Sequence, residues 1–154
     1  MTAGSCPAGW SELEGECYKY FDDWPISWDA AREHCLGEEV KCQEIKDNFY
    51  QISISYHQAD LASVHSEREN QFLAQLSSGQ RTWLGGRRSC SGCEDFVWSD
   101  GTSFGFTNWW PGEPKTNYED CIEINFVREG SWNDVPCAWQ GGGRFVCKKT
   151  KRGQ

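Results

Sequence analysis

The spacing of apolar side chains predicts a first helix in the stretch SWDAAREHC. Trp28, Ala31 and Cys35 recur at the i, i+3, i+7 interval of one helical face. Ser27 stands just before them, where a serine hydroxyl can accept a hydrogen bond from a free backbone N–H of the first turn. The spacing and the cap together indicate that this segment is helical.

A second helix is predicted in the stretch SERENQFLAQL. Phe72, Leu73 and Leu76 supply its apolar face. Ser66 and Glu69 have the spacing of a capping box, in which each of the two side chains bonds a backbone N–H at the start of the helix. This segment has the clearer helical pattern of the two.

The other apolar segments predict short strands. The runs TWLGG, FVWSDG, CIEINF and RFVCKK alternate with loops rich in Gly, Pro, Asn and Asp, and the glycines are expected to end the first run. Residues 6–20 carry two cysteines and predict a small hairpin closed by a disulfide, whereas the polar residues 38–58 are interpreted as an insertion. Two early helices followed by several strands predict an α+β fold. A chain of 154 residues predicts a single domain over residues 1–154.

Composition narrows the compartment and the class of partner. The net charge of −8 argues against a nucleic-acid partner, because phosphate binding needs clustered Lys and Arg. The sequence contains no run of about 18 apolar residues, so we expect no membrane-spanning helix. Nine cysteines predict a secreted protein stapled by disulfides, although the start MTAGSCPAGW lacks the apolar core of a signal peptide and is interpreted as a replaced N-terminus. No catalytic signature is present, so we expect no enzyme.

Candidate chemistry is concentrated in two stretches, NWWPGEPKTNYEDC and GSWNDVPC. They group Glu, Asp and Asn side chains, whose oxygens are the ligands that a hard cation such as calcium prefers. Lys115 stands among them with the wrong charge for a metal ligand. The pattern therefore raises the question of whether this loop is a metal site, an altered metal site or a surface turn.

The order of the motifs TWLGG, WSDG, NWWPGEP, EDC, WNDVPC and FVC resembles the C-type lectin-like domain over nearly the whole chain. The resemblance implies two helices, short antiparallel strands and a long ligand-binding loop, here at about residues 99–120. It also implies three disulfides, Cys6–Cys17, Cys35–Cys147 and Cys121–Cys137. On the chain-entropy account, a bond that closes a loop of roughly 110 residues stabilises a fold by about 4–5 kcal/mol.

Three cysteines remain after this pairing, and their odd number means that at least one is free or bonds another chain. Cys90 and Cys93 form a CxxC pair, which could be half of a zinc site or a redox motif, but no partner pair of ligands accompanies it. We expect a local Cys90–Cys93 disulfide, with Cys42 linking two chains. The rival pairing joins Cys42 to Cys90 or to Cys93.

The resemblance implies a calcium site built from five side chains around a cis proline at Pro114. These are Glu113, Lys115, Glu119, Asn133 and Asp134. Four of them carry oxygen ligands, but a lysine has three donors and no acceptor. An ammonium about 4 Å from a divalent cation would repel it by roughly 8 kcal/mol at an effective dielectric of 20.

Three outcomes follow for Lys115. It could point into solvent, so that a weaker calcium-dependent lectin remains. Its ammonium could instead occupy the carboxylate cluster and leave a calcium-independent binder. In the third outcome the site is vestigial. We do not predict the family's auxiliary calcium site, because Thr116 stands where an acid often contributes.

The expected function is that of a secreted lectin with a Ca²⁺ cofactor that binds glycans on cell or microbial surfaces. An acceptor at Glu113 followed by a donor at Lys115 resembles the arrangement that goes with mannose-like or N-acetylhexosamine sugars. Trp109, Trp110 or Tyr118 could stack on the sugar, and Trp110 is the named candidate. A homodimer linked through Cys42 would gain avidity, and the family suggests innate recognition of microbes. The alternative is a calcium-independent binder of a protein, a microbe or a mineral surface.

Overall fold

The computed structural model describes residues 6–22, 26–38, 58–115, 118–139 and 143–150. Within these ranges the chain forms two helices, α1 (Trp28–Leu36) and α2 (Glu67–Leu76). The strands described are β1 (Ser11–Leu13), β2 (Glu16–Phe21), β3 (Asp60–Leu61), β4 (Thr82–Arg88), β5 (Phe96–Trp98), β6 (Cys121–Ile124), β7 (Trp132–Val135) and β8 (Phe145–Lys149). The predicted insertion at 38–58 falls almost entirely outside the described residues.

All eight of these strands belong to one sheet. Its main path runs β1-β2-β8-β4-β6-β7, with β3 added to β8 and β5 added to β4. Neighbouring strands pair antiparallel except β4 and β8, which meet in parallel where Trp83 lies opposite Phe145. The α+β fold and the hairpin at the N-terminus are thus confirmed, while β3 and β7 are strands that the sequence pattern did not predict.

Both predicted helix caps are present. Ser27 Oγ accepts from the N–H of Ala30 at 3.3 Å, and Ser66 Oγ accepts from the N–H of Glu69 at 3.1 Å. The capping box is only half correct, because Glu69 Oε2 accepts from the N–H of His65 at 2.7 Å, one residue before the cap. The carboxylate thus accepts from the chain entering the helix, while the Ser66 hydroxyl accepts from the first turn of the helix itself.

Two apolar clusters lie against the sheet. In the first, Leu73 of α2 packs with Trp98 and Trp132, while Phe72 and Leu76 are only partly buried. In the second, Trp28 of α1 is fully buried and donates from Nε1 to the carbonyl of Leu84 at 2.8 Å. The helices therefore cover separate parts of the core, which leaves the long loop after β5 free to carry the functional residues.

A buried ionic cluster joins α2 to the sheet. Lys148 on β8 lies 2.5 Å from Glu69 Oε1 and 3.0 Å from Glu16 Oε2. Tyr18 donates its hydroxyl to the same oxygen of Glu69 at 2.7 Å, and burial together with this carboxylate raises the pKa of Tyr18. Lysine and glutamate are rarely buried unless they are paired, so the mutual compensation explains how β8 carries a lysine into the interior.

Disulfides tie the termini of the fold together. Those present among the described residues are Cys6–Cys17, Cys35–Cys147, Cys90–Cys93 and Cys121–Cys137. The bond at Cys35 joins α1 to β8, and that at Cys121 joins β6 to the segment after β7. Cys42, proposed from the sequence to link two chains, lies outside the described residues. Neither helix of the described part is long and apolar enough to cross a membrane.

The prediction that glycines end the strand at TWLGG is wrong, because β4 continues through them to Arg88. A Cβ placed on Gly85 would stand 2.6 Å from the carbonyl oxygen of Leu61 and 2.9 Å from Ser99 Oγ. The missing side chain is thus what allows the neighbouring chain to approach β4, and these glycines belong to the strand rather than to a turn.

We expect Gly85→Ala to lower the free energy of unfolding by about 1–3 kcal/mol, the usual cost of an overpacked site. The melting temperature should fall by several degrees in thermal unfolding followed by circular dichroism. Gly105→Ala is the matched control, because no heavy atom lies within 4 Å of its added Cβ. Equal melting temperatures for the two variants would contradict the close approach at Gly85.

Candidate functional site

Three carboxylates converge at the end of the long loop. One oxygen from each of Glu113, Glu119 and Asp134 lies within 4.8 Å of the others. Glu113 precedes a cis peptide bond at Pro114, as the resemblance implied. We refer to Glu113, Glu119 and Asp134 as the acidic trio, and it contains three of the five residues proposed from the sequence.

Strand pairing and loop anchoring bring the trio together. β6 and β7 pair antiparallel, with Cys121 opposite Val135 and Ile122 opposite Asp134. Glu119 lies two residues before β6, and this pairing brings it close to Asp134 on β7. The loop is held on the other side of β7, where the N–H of Trp110 donates to the carbonyl of Trp132 at 2.9 Å. The trio therefore depends on β7 as its common support.

Glu113 is a largely buried member of the trio. Its side chain is 4% exposed, and Oε1 lies 3.2 Å from the ammonium of Lys115. Oε2 is buried and has no hydrogen-bond partner among the described residues. Burial raises the pKa of Glu113, while the hydrogen bond from Lys115 acts in the opposite direction. An unpartnered buried carboxylate oxygen is costly, so this atom is poised for a cation.

Lys115 uses its backbone and its side chain in different ways. The side chain is 67% exposed and reaches back to Glu113, which raises the pKa of Lys115. The backbone N–H donates to Asp134 Oδ1 at 2.9 Å. The lysine therefore lies at the rim of the trio, with its main chain fixed and its ammonium in contact with both a carboxylate and solvent.

Asp134 has a cationic partner that sequence reasoning missed. Its carboxylate is fully buried, and Oδ2 accepts from Nη2 of Arg88 at 2.8 Å, with the Arg88 side chain 2% exposed. Arg88 reaches the interior because β4 pairs with β5, which sets it opposite the buried Phe96. The guanidinium lies 4.5 Å from the centre of that ring. The only signal in the sequence was an arginine ending an apolar strand, and the strand register that buries it cannot be read there.

Glu119 is the third member of the trio, and its pKa depends on its surroundings. Burial raises its pKa, and the charge of Asp134 adds to the effect. With all three acids ionised the trio carries three negative charges, whereas Arg88 and Lys115 contribute two positive ones. These five groups thus retain one net negative charge while Lys115 stays in contact, and Asp120, whose Oδ1 lies 3.6 Å from Arg88 Nε, adds to it.

Asn133 has a partner outside the trio. Its Nδ2 donates to Glu123 Oε1 at 3.0 Å, and Glu123 also accepts from Nε of Arg81 at 2.9 Å through Oε2. Glu123 is 1% exposed and was not singled out from the sequence. The amide of Asn133 thus links the trio's strand to a second buried ion pair.

The aromatic candidates differ in exposure. Trp109 is partly buried against the core, with its ring 5.0 Å from Phe96 and 5.7 Å from Trp132. Trp110 is half-buried, whereas Tyr118 is 84% exposed and immediately precedes Glu119. Tyr118 therefore presents more ring surface beside the trio than Trp110, the residue favoured from the sequence.

The comparisons with known proteins agree with this geometry. The family model described as "Lectin C-type domain" matches residues 54–149. A lectin of Pleurodeles waltl is 34% identical over 152 residues, covering 94% of this chain and 76% of that protein. The chain belongs to the C-type lectin domain family. Membership confirms the fold class and the prediction that the protein is not an enzyme.

Two other similar proteins show how far the match extends along each chain. Mouse "C-type lectin domain family 4 member G" is 32% identical over 148 residues, and the match spans 94% of this chain but 42% of that protein. The crystal structure of "C-type Lectin CEL-I from Cucumaria echinata" superposes with a TM-score of 0.79 at 26% identity, covering 97% of this chain and 100% of the other. The C-type lectin fold therefore extends over nearly all of this chain.

We expect Asp134→Asn to destabilise the chelator-treated protein by about 3 kcal/mol, because it removes the closest charge partner of the buried Arg88 and leaves only Asp120, at 3.6 Å from Nε. Chemical denaturation followed by tryptophan fluorescence measures this change. Asp29→Asn is the control, since Asp29 pairs with Arg87 at 3.5 Å while 68% exposed, and exposed pairs contribute about 0–1 kcal/mol. Similar losses in both variants would show that the Arg88–Asp134 pair has no special weight.

Proposed function

We propose that this domain is a calcium-dependent lectin that binds glycans at the acidic trio. The observation that carries the proposal is the convergence of three carboxylates from separate segments, one of them with a buried and unpartnered oxygen. Calcium takes six to eight oxygen ligands, among which carboxylates and amide carbonyls are usual. Glu113, Glu119 and Asp134 would hold the ion, and the family resemblance adds Asn133. Bound there, calcium would supply open positions for two neighbouring sugar hydroxyls.

The charge of the site supports a divalent ion once Lys115 withdraws. The trio and Arg88 together then carry two negative charges, which one calcium ion neutralises. Lys115 has a short distance to move, because its side chain is already 67% exposed and, within the described residues, its ion pair is with Glu113 alone. Exposed ion pairs hold their side chains weakly, so displacement of the ammonium costs little compared with a full set of calcium ligands.

For the sugar, we propose mannose-like or N-acetylhexosamine ligands. Glu113 offers acceptor oxygens and Lys115 offers donor hydrogens on the two sides of Pro114, which matches a pair of neighbouring equatorial hydroxyls. Tyr118 is exposed beside the trio and could stack on the apolar face of the sugar. Trp110 remains a candidate for a second contact.

The proposal also includes a location and an assembly. Four disulfides among the described residues favour an oxidising, extracellular environment. Glycans on cell or microbial surfaces would be the partners there, consistent with a role in innate immunity. A second copy joined through Cys42 would let two shallow sites bind one surface with greater avidity.

A second candidate function has an observation in its favour. The ammonium of Lys115 lies 3.2 Å from Glu113 Oε1, so the lysine itself partly neutralises the trio. In this reading the loop binds its ligand without calcium, and the ligand is a protein, a microbe or a mineral surface. The two candidates differ in whether calcium displaces the lysine.

Calorimetric titration separates these candidates. Calcium is titrated into chelator-treated protein, and mannose, N-acetylglucosamine and galactose follow with and without the ion. We expect calcium to bind and to be required for heat from mannose or N-acetylglucosamine, with less heat from galactose. Sugar heat without calcium would favour the second candidate, and no heat from any sugar would overturn the lectin proposal.

Replacing Lys115 tests its opposition to the ion. Lys115→Asn removes the positive charge and adds a ligand oxygen, so we expect calcium affinity to rise by about tenfold or more, the equivalent of at least about 1.4 kcal/mol. Lys115→Met removes the charge without adding a ligand and should give a smaller increase. Unchanged affinity in both variants would mean that the ion does not bind beside this residue.

Glu119→Gln should have opposite effects with and without calcium. The raised pKa of Glu119 means that the folded state binds a proton more tightly than the unfolded chain, so the stability this residue contributes is present at acidic pH and lost as pH rises. In chelator the variant should therefore melt higher than the parent at pH 7 and equally at pH 4. With saturating calcium it should melt lower, because a ligand is gone.

Thermal scans across this pH range provide the measurement. Glu129→Gln removes the same charge from an exposed turn and serves as the control. It should melt as the parent does in chelator at pH 7, in chelator at pH 4 and with saturating calcium. A destabilised Glu119→Gln protein in chelator at pH 7 would contradict the direction of the pKa shift.

A further inference from the structure

Arg88 saturates its hydrogen-bonding capacity on the backbone around the site. A guanidinium has five N–H donors in a fixed plane, and the structure provides an acceptor for each. Nε donates to the carbonyl of Glu119 at 3.1 Å, Nη1 to those of Cys93 and Glu94 at 2.8 and 3.4 Å, and Nη2 to Asp134 at 2.8 Å and to the carbonyl of Lys115. One buried side chain thus contacts the turn after β4, the ligand loop and β7.

From this geometry we infer that Arg88 is a positioning residue that holds the ligand loop in its binding shape before any ion is bound. Two of its acceptors, the carbonyls of Lys115 and Glu119, belong to the loop main chain on either side of residues 116–118. Asp134 Oδ1 completes the arrangement by accepting from the N–H of Lys115 at 2.9 Å. The loop is therefore bonded to Arg88 directly and also through Asp134.

The contacts resemble those a metal ion makes, since one positive centre gathers oxygens from several segments. Arginine stays charged at all accessible pH values and its fork is rigid, so this cation cannot dissociate. The conformational entropy of the loop is lost when the protein folds rather than when a ligand binds, which favours affinity. The order of the main chain at Lys115 and Glu119 is consequently independent of calcium, and only the effect on affinity rests on the proposed function.

The Cys90–Cys93 turn belongs to the same assembly. Its disulfide closes the segment that presents the carbonyl of Cys93 to Arg88, and the N–H of Cys93 donates to the carbonyl of Cys90 at 3.0 Å. The N–H of Gly92 also lies 3.5 Å from Asp120 Oδ1, next to Glu119. A turn outside the trio therefore contacts both Arg88 and the segment that carries Glu119.

Arg88→Lys and Arg32→Lys form the test pair. An ammonium keeps the charge but has three donors on one atom, so it cannot reach the five acceptors of Arg88. Arg32 matches Arg88 in chemistry, because it bonds both oxygens of Asp60 at 3.1 and 3.2 Å and the carbonyl of Ser99 at 3.2 Å. Asp60 belongs to β3 and Ser99 directly follows β5, so neither partner belongs to the trio or to residues 113–119 around it.

Limited trypsin digestion of the full chain in chelator, followed by mass spectrometry, reports loop order through cleavage after Lys115. Cleavage after the exposed Arg128 provides the internal reference. In the parent we expect Lys115 to resist, with calcium changing its cleavage rate by less than about twofold, since local opening governs proteolysis. Arg88→Lys should raise cleavage at Lys115 by about tenfold relative to Arg128. Arg32→Lys should leave that ratio unchanged.

Calcium affinity provides the second measurement. We expect Arg88→Lys to bind calcium about tenfold more weakly, the usual effect of losing a residue that orients metal ligands, and Arg32→Lys to bind as the parent does. Rapid cleavage of the parent at Lys115 in chelator, with strong protection by calcium, would overturn the inference even if no variant folded. A parent that resists trypsin yet binds no calcium would leave Arg88 in its positioning role and remove the calcium proposal instead.

Discussion

The buried ion pair between Arg88 and Asp134 is the interaction on which the functional end of the molecule depends. Both side chains are almost fully excluded from water. An unpaired charge in such a buried position would be destabilising. Asp134 belongs to β7, and Trp132 on the same strand accepts a hydrogen bond from the N–H of Trp110 in the loop. The pair consequently couples the centre of the sheet to the carboxylates, and disturbing either partner should affect the core and the site together.

In two other places in the described residues, buried carboxylates are paired with a lysine or an arginine. Lys148 is surrounded by Glu69 and Glu16, and Arg81 is bonded by both oxygens of Glu123. Each group joins elements distant in sequence. Arg81 and Glu123 balance each other, whereas one ammonium faces two carboxylates in the Lys148 group. The side chain of Lys148 is 4% exposed, whereas that of Lys115 at the trio is 67% exposed, so the trio is where an added cation is expected to replace the resident one.

The sequence predicted the convergence of the acidic side chains better than the residues that support them. Helix positions, the hairpin and the cluster of Glu113, Glu119 and Asp134 follow from local spacing or from motifs whose order is specific. Arg88 could not be predicted, because its burial depends on the pairing of β4 with β5, a long-range register. The glycines in β4 misled for a related reason, since glycine marks a turn locally but here permits Leu61 to approach.

Lys115 shows how this fold separates shape from ligand choice. Its N–H bonds Asp134 and its carbonyl bonds Arg88, while the largely exposed side chain contacts Glu113. Any residue that keeps a backbone N–H can make the same main-chain bonds, and proline alone cannot. Position 115 is therefore open to substitution without loss of the scaffold, and a library randomised there would sample new ligand preferences on an unchanged loop.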